Sequence, residues 1–442
     1  MSVDKYKLIH WLNIRKTTID VLNLKLGNKI NKELKVSDFA NVNSYLANEI
    51  AKVLNIPKEK ILKNHPNPTY VFATKQDINK TKRPITRDKI HFYNYYTLPV
   101  PEGYVAPVLI DVLCPKNKLP KLNNGHLESA ITLSLGPEPV YLRTAKKIEK
   151  ETFQKFDVNK SRKDSWVVGD TYFEPSYCLH TYCKANDGPG KILSYTTISH
   201  INELFRSKLN DNSFNQLKKL SQKNYINQIL YHDILGRGYD LKYLSILIGI
   251  KSKTLTNLFN SKKKLPKNII KKICRIVRLD ENLYLPVASD GDQDKVGKNY
   301  LSYKKKIKSI RKYKSYLVTS LASSRKNPDL YGFYMKVNKK DKLKPNLDLL
   351  ETGCSHYLVT KGNVNIYLKE NKKIKKIVAN EGDAIWISSL VNHCFTGNAS
   401  LAKISDGQNF NYLEKQDIKR LFDIPFTLRR ARKDIVNWGY DA

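Results

Sequence analysis

Two hydrophobic periodicities alternate along this chain. From residue 1 to about 65, apolar positions recur at helical spacing, through Ile19, Leu22 and Leu24 and again through Ile50, Val53, Leu54 and Ile56. Asn55-Ile56-Pro57 then marks a helix stop. Between about 68 and 200 the pattern changes to short apolar and aromatic runs split by Gly, Pro and Asn: Tyr70–Phe72, Val105–Val112, Ile131–Leu135, Trp166–Val168 and Ile192–Thr196. That spacing predicts an all-β sandwich or barrel. Helical periodicity returns from about 200 to 285. Within it Leu241 to Leu258, turning at Gly249 and capped at Ser252-Lys-Thr-Leu255, predicts a helix-turn-helix. A basic connector, Lys304 to Lys314, leads to a second series of strands: Tyr357–Thr360, Val364–Leu368, Ala384–Ile387 and Ala402–Ser405. The tail is helical from Leu413 to Phe422 and basic at Arg429, Arg430 and Arg432.

The order α, β, α, β is an internal repeat. Ile50 to Ile56 aligns with Ile273 to Leu279, and Gly125-His126 aligns with Gly353-Cys354 ahead of an apolar strand. Gly169-Asp170, with His180 eleven residues after the glycine, aligns with Gly382-Asp383 and His393 at the same spacing. The expected fold is therefore α+β, a tandem repeat of a helix-turn-helix-like all-α domain followed by a β-barrel. Its expected domains are an N-terminal helical one (1–66), a catalytic barrel (67–200), a second helical one (201–300) and a degenerate barrel with a basic tail (301–442).

Composition narrows the class. The 442 residues suffice for several cores, and a hydrophobic content of 41% describes a folded chain. No apolar run reaches the roughly 18–20 residues of a membrane span, and no apolar leader follows Met1. Cys114, Cys178, Cys183, Cys274, Cys354 and Cys394 are scattered without CxxC spacing, which fits a reduced cytoplasm better than a disulfide framework. The net charge of +37 invites a nucleic-acid reading, yet it is spread over the whole length rather than gathered in one arm. A small anionic substrate would profit from the same field.

Candidate chemistry gathers around Gly169–His180. A strand-like run leads into it, and a carboxylate, Glu174, and an imidazole, His180, stand six residues apart across a bend at Pro175. His126 precedes the alternating strand Ile131, Leu133, Leu135. Two imidazoles and one carboxylate converging in a barrel make a facial triad, which holds Fe(II) and leaves three positions open. The second copy is an internal control: there Cys354 stands for His126 and Ile387 for Glu174, and His393 alone remains. The second barrel is thus expected to keep the fold without the metal, His356 being the one residue placed to join His393.

In Asn123-Asn-Gly-His126-Leu-Glu-Ser-Ala-Ile-Thr and Glu174-Pro-Ser-Tyr-Cys-Leu-His180, the chain resembles the 2-hydroxyethylphosphonate dioxygenase and methylphosphonate synthase family, mononuclear iron enzymes of the cupin class. The likeness covers essentially the whole chain, including the tandem helical-plus-cupin plan. It implies double-stranded β-helix barrels, an Fe(II) site of His126, Glu174 and His180, and O2 as co-substrate. It also implies a phosphonate pocket of Arg87, Tyr95 and Asn123, with Lys16 reaching in from the helical segment, and self-association into a homo-oligomer. Arg87 offers a planar fork for phosphonate oxygens and Lys16 a point charge.

Within that family, the synthase branch carries a glutamine four residues after the first histidine and an isoleucine six before the second. Here those positions are Ala130 and Glu174, which point to the dioxygenase branch. The implied reaction cleaves the carbon–carbon bond of 2-hydroxyethylphosphonate to hydroxymethylphosphonate and formate. Methylphosphonate with carbon dioxide is the alternative outcome. A rival class is a DNA-binding regulator with a barrel as sensor. Against it, the recognition segment Lys251 to Asn260 carries few side chains suited to base edges.

Overall fold

The computed structural model describes residues 3–63, 67–87, 89–118, 125–146, 161–166, 168–219, 225–261, 263–287, 299–301, 307–341 and 345–433. The first helical unit is set by its caps. Asp4 accepts from the backbone of Tyr6 and Lys7 to start Lys5–Ile14, Thr18 starts Ile19–Leu26, and Asn43 starts Ser44–Leu54, which ends at left-handed Asn55. Leu8, Leu12, Leu22, Leu26, Phe39, Ile50 and Leu54 fill its core. Leu24, counted above with the inward positions, is 81% exposed. Leu22 and Leu26, four apart, take the buried face instead.

A second helical cluster comprises Tyr225–Gly236, Leu241–Ile248, Ser252–Asn260 and Lys267–Val277 around Leu230, Leu244, Leu255, Ile270 and Ile273. Gly249 takes the left-handed turn that the sequence assigns to it. Ser252 is not the cap of the next helix, however: it is the first helical residue, and Lys251 before it caps without a side-chain bond. No helix among the described residues is long and apolar enough to cross a membrane.

The strands form two main sheets. A seven-stranded sheet runs, edge to edge, Asn299–Leu301, Thr171–Glu174, Ala130–Pro137, Gly190–Thr196, Val108–Val112, Ile90–Thr97, Arg83–Arg87. A three-stranded sheet, Ser161–Trp166, Val140–Ala145 and His180–Lys184, faces it. Strand alternation then sorts the side chains. Phe92, Ile110, Val112, Leu142, Tyr172, Tyr182 and Ile192 fill the space within this cupin barrel. Ile131, Leu133, Phe173, Leu193 and Tyr195 point out of its back, against Leu358, Ala384, Ala402 and Ile404 of the eight-stranded second sheet and Leu321 and Leu330 of a connection within it.

That second sheet departs from the expected strands in one respect. Tyr357–Thr360 and Val364–Leu368 belong to a single 17-residue strand, Cys354–Glu370. The apparent break is a bend at Gly362, whose φ is +78° and where a Cβ would lie 2.3 Å from the Asn398 carbonyl. Only glycine fits there. In the tail, the helix expected from Leu413 to Phe422 is Tyr412–Lys419, and Ile424–Lys433 is a separate one.

The two halves also trade strands. Tyr70–Ala73, expected in the first barrel, pairs with Ala384–Ile387 of the second sheet. Asn299–Leu301, at the end of the expected second helical domain, pairs with Thr171–Glu174 of the first. The expected boundaries at 67 and 300 are therefore crossed by hydrogen bonding. Strand partners far apart in sequence leave no local signal, which is why periodicity places these runs but not their sheets.

Between the sheets, Asp406 is fully buried, and its Oδ2 accepts from Tyr195 Oη (2.8 Å), His356 Nε2 (2.6 Å) and Gln408 Nε2 (2.9 Å). Burial pushes its carboxyl up, but the His356 and Gln408 donors outweigh this and hold it below the usual range. A depressed folded-state pKa contributes stability above the unfolded value, about 3.9, that is lost as pH falls through the folded one. Asp406→Asn is expected to be less stable at pH 7 and to lose less on acidification below about pH 4 than the parent, measured by urea midpoints across pH. Leu193→Ala at the back-to-back contact is expected to cost about 2–5 kcal/mol in the same assay.

Candidate metal centre

Glu174 ends the strand Thr171–Glu174, which is hydrogen-bonded on both edges, to Ala130–Pro137 and to Asn299–Leu301. Alternation turns Thr171 and Phe173 to the sheet's back and Tyr172 and Glu174 into the barrel. After Pro175 the chain reverses through Tyr177 at φ 55° and re-enters the three-stranded sheet at His180, opposite Thr144. The His126 loop is clasped to this turn. The Tyr177 backbone N–H donates to the His126 carbonyl at 2.7 Å, and Gly125, at φ +57°, approaches so closely that a Cβ would lie 3.2 Å from the Tyr177 backbone. Chain segments about 50 residues apart are thereby locked side by side.

His126, Glu174 and His180 converge, with one ligand atom of each within 4.8 Å of the others. Glu174 is buried, His126 and His180 are half-buried, and the two imidazoles meet edge to face at 5.7 Å. Backbone carbonyls orient both rings. His126 Nδ1 lies 2.5 Å from the Glu128 carbonyl and His180 Nδ1 lies 3.0 Å from that of Cys178. A carbonyl only accepts, so His126 Nδ1 carries the proton and its Nε2 keeps the lone pair, whereas His180 Nδ1 faces both the Cys178 carbonyl and Glu174 Oε1. Such second bonds are the usual orienting partners of metal-binding histidines.

The carboxylate completes the set. Glu174 Oε1 lies against His180 Nδ1, whereas Oε2 accepts from Tyr172 Oη at 3.1 Å. A buried carboxylate between two imidazoles fits a divalent cation. Tyr172 and Tyr182 touch through their hydroxyls, and burial pushes both phenols well above their ordinary range, so both stay protonated. Neither was singled out from the sequence, although period-2 alternation places Tyr172 on the face of Glu174 and Tyr182 on that of His180.

The other candidate residues are distributed as follows. Tyr95 is half-buried in the strand Ile90–Thr97 and packs against the barrel core that contains Tyr172 and Tyr182. Burial pushes its phenol up, and the Arg87 and Arg83 cations draw it back down. Arg87 is exposed at the end of Arg83–Arg87, the strand paired with that of Tyr95. Lys16 is exposed, at φ 53°, in the turn between the first two helices. Asn123 lies outside the described residues.

Comparison with known proteins gives this geometry a context. The profile of the 2-hydroxyethylphosphonate dioxygenase cupin-like domain matches residues 79–197. The chain is 32% identical to 2-hydroxyethylphosphonate dioxygenase of Streptomyces viridochromogenes, over 100% of both chains. Among solved structures, PhpD holding cadmium and complexed with hydroethylphosphonate (HEP) is similar at a TM-score of 0.81 and 29% identity, covering 98% of this chain and 100% of that one. Streptomyces albus HEPD, with 2-hydroxyethylphosphonate and Fe(II) bound, shares the fold at a TM-score of 0.79 and 14% identity, covering 98% of each chain. With full-length identity at that level and the His126–Glu174–His180 cluster in place, the chain belongs to the 2-hydroxyethylphosphonate dioxygenase family.

Proposed function

We propose that this chain is an Fe(II)-dependent dioxygenase that cleaves 2-hydroxyethylphosphonate to hydroxymethylphosphonate and formate. The observation that carries the reading is Glu174: a buried carboxylate set against two imidazoles, in a chain aligned end to end with a relative of that name. His126, Glu174 and His180 would hold the metal through one ring nitrogen of each histidine and a Glu174 carboxylate oxygen. When bound, Fe(II) supplies the redox centre at which O2 and the substrate meet, with three positions left open by a three-residue ligand set.

The remaining work belongs to the protein. Tyr172 donates to Glu174 Oε2 and so turns Oε1 toward the imidazoles. Glu128 and Cys178 carbonyls fix the two rings. Arg87 would engage phosphonate oxygens through its planar fork, Tyr95 and Asn123 through directional hydrogen bonds, and Lys16 through its charge. Holding the dianion in one orientation converts an encounter into a positioned reaction. The field of a chain with net charge +37 favours the arrival of such a dianion. One substrate and one O2 account for all atoms of the two products, so no further reductant is required.

The protein reconstituted anaerobically with Fe(II), then given substrate and O2, is expected to release formate and hydroxymethylphosphonate in equal amounts by NMR. Methylphosphonate with carbon dioxide and one water also balances, and finding it would reassign the chain to the synthase reaction. Glu174→Ala is expected to lose stoichiometric iron and turnover, and retention of both would refute the ligand set. Tyr172→Phe is expected to keep the fold and to bind Fe(II) about 10-fold more weakly, read by competition with a chelator.

A further inference from the structure

The hydrogen-bond registers of the two sheets can be laid over each other residue by residue. In the first, Ala130 stands between Glu174 and Thr196, and Thr132 between Tyr172 and Ser194. In the second, Ser355 stands between Ile387 and Ser405, and Tyr357 between Ile385 and Lys403. His180 then corresponds to His393, and each ring gives its Nδ1 to the carbonyl two residues earlier, Cys178 at 3.0 Å and Val391 at 2.8 Å. His126 lies four residues before Ala130, and four residues before Ser355 is Glu351. The pairing of His126 with Cys354 suggested by the two glycines is therefore out of register by three residues.

On this frame the second barrel places Glu351, Ile387 and His393 where the first places His126, Glu174 and His180. It places Lys403 where the first has Ser194. Lys403 is fully buried, with its ammonium against Glu351 Oε2 and Ser405 Oγ and 4.5 and 5.0 Å from the ring centroids of Tyr331 and Phe333. Glu351 also accepts from Ser355 Oγ (2.8 Å), Tyr357 Oη (3.0 Å) and Ser405 Oγ (3.1 Å). Tyr357 Oη in turn lies 3.0 Å from His393 Nε2, joining the imidazole to the carboxylate.

A lysine rarely enters a barrel core without a partner that requires it. We propose that the second barrel retains a latent metal pocket in which the Lys403 ammonium stands in for the ion, neutralising Glu351 and closing the pocket to divalent metals. Burial pushes the Glu351 carboxyl up, and the Lys403 charge reverses this and holds it low, as a bound cation would. Burial lowers the pKa of Lys403 itself despite Glu351, marking the cost of keeping a charge at this depth. An ordinary structural ion pair would explain the Lys403–Glu351 contact. It would not explain why the pair falls at the register of the first barrel's ligands, beside a histidine with the same Nδ1 anchor.

The test uses the full chain. Lys403→Ser installs the first barrel's residue, and Lys403→Ser/Ile387→Glu adds a donor at the register of Glu174. Each is titrated with Zn(II), then read for metal content after desalting and for thermal midpoint. One more Zn(II) per chain than the parent is expected in the double variant, lost again on adding His393→Ala. The midpoint should also rise by about 5 °C or more beyond any shift of the parent. If Lys403→Ser folds only when Zn(II) is present, the same conclusion follows. Metal content equal to the parent's in the folded double variant overturns the proposal, as does failure of both variants to fold with or without Zn(II).

Discussion

A charge inside a β-barrel has to be answered by an opposite charge, because the apolar wall offers no solvation. Glu174 is the carboxylate around which the first barrel is arranged. One of its oxygens is taken by a tyrosine and the other is left facing two imidazoles. The proposed cation is the partner that makes this arrangement tenable, and the surrounding architecture fixes where that partner can sit. In the eight-stranded second sheet the same requirement is met from within the chain, by Lys403 against Glu351. One physical rule thus accounts for both interiors, with the counter-ion proposed as exogenous in one and covalently attached in the other.

Fixing the position of Glu174 depends on elements far from it in sequence. Its strand is four residues long and would be a frayed edge if it paired on one side only. Asn299–Leu301 covers that edge, and Tyr70–Ala73 does the same for Ala384–Ile387 in the other sheet. Behind both strands lies the shared apolar layer that includes Phe173, Leu193, Ala384 and Ala402. The barrel interiors are therefore positioned by packing that involves none of the ligands. A ligand can be replaced by isoleucine, as at Ile387, without dismantling the sheet that carries it.

What was legible in the sequence was whatever leaves a local trace. The helices of both α segments, the turn at Gly249 and the strands around Ile131 and Ile192 follow from periodicity and caps. The convergence of His126, Glu174 and His180 was legible because a bend at Pro175 and a repeated Gly-to-His spacing frame two of the three residues. The strand exchange was not, since the pairing of residue 70 with residue 387 is encoded in no window of sequence. Nor was Glu351. The matching Gly125-His126 and Gly353-Cys354 pairs offered a false anchor three residues out of register. Tyr172 was readable from alternation but carried no motif to call attention to it.

The two barrels also separate fold from chemistry within one chain. Both present a histidine with its Nδ1 held by a carbonyl two residues back, on strands of matching register. They differ in what stands beside it. In the first, Thr132 and Ser194 are small and hydrogen-bonded to each other at 3.0 Å. In the second, Tyr357 and Lys403 occupy those positions, both engaged with Glu351. At those two paired positions the sheets differ in side-chain size and charge, while the register that carries them is the same.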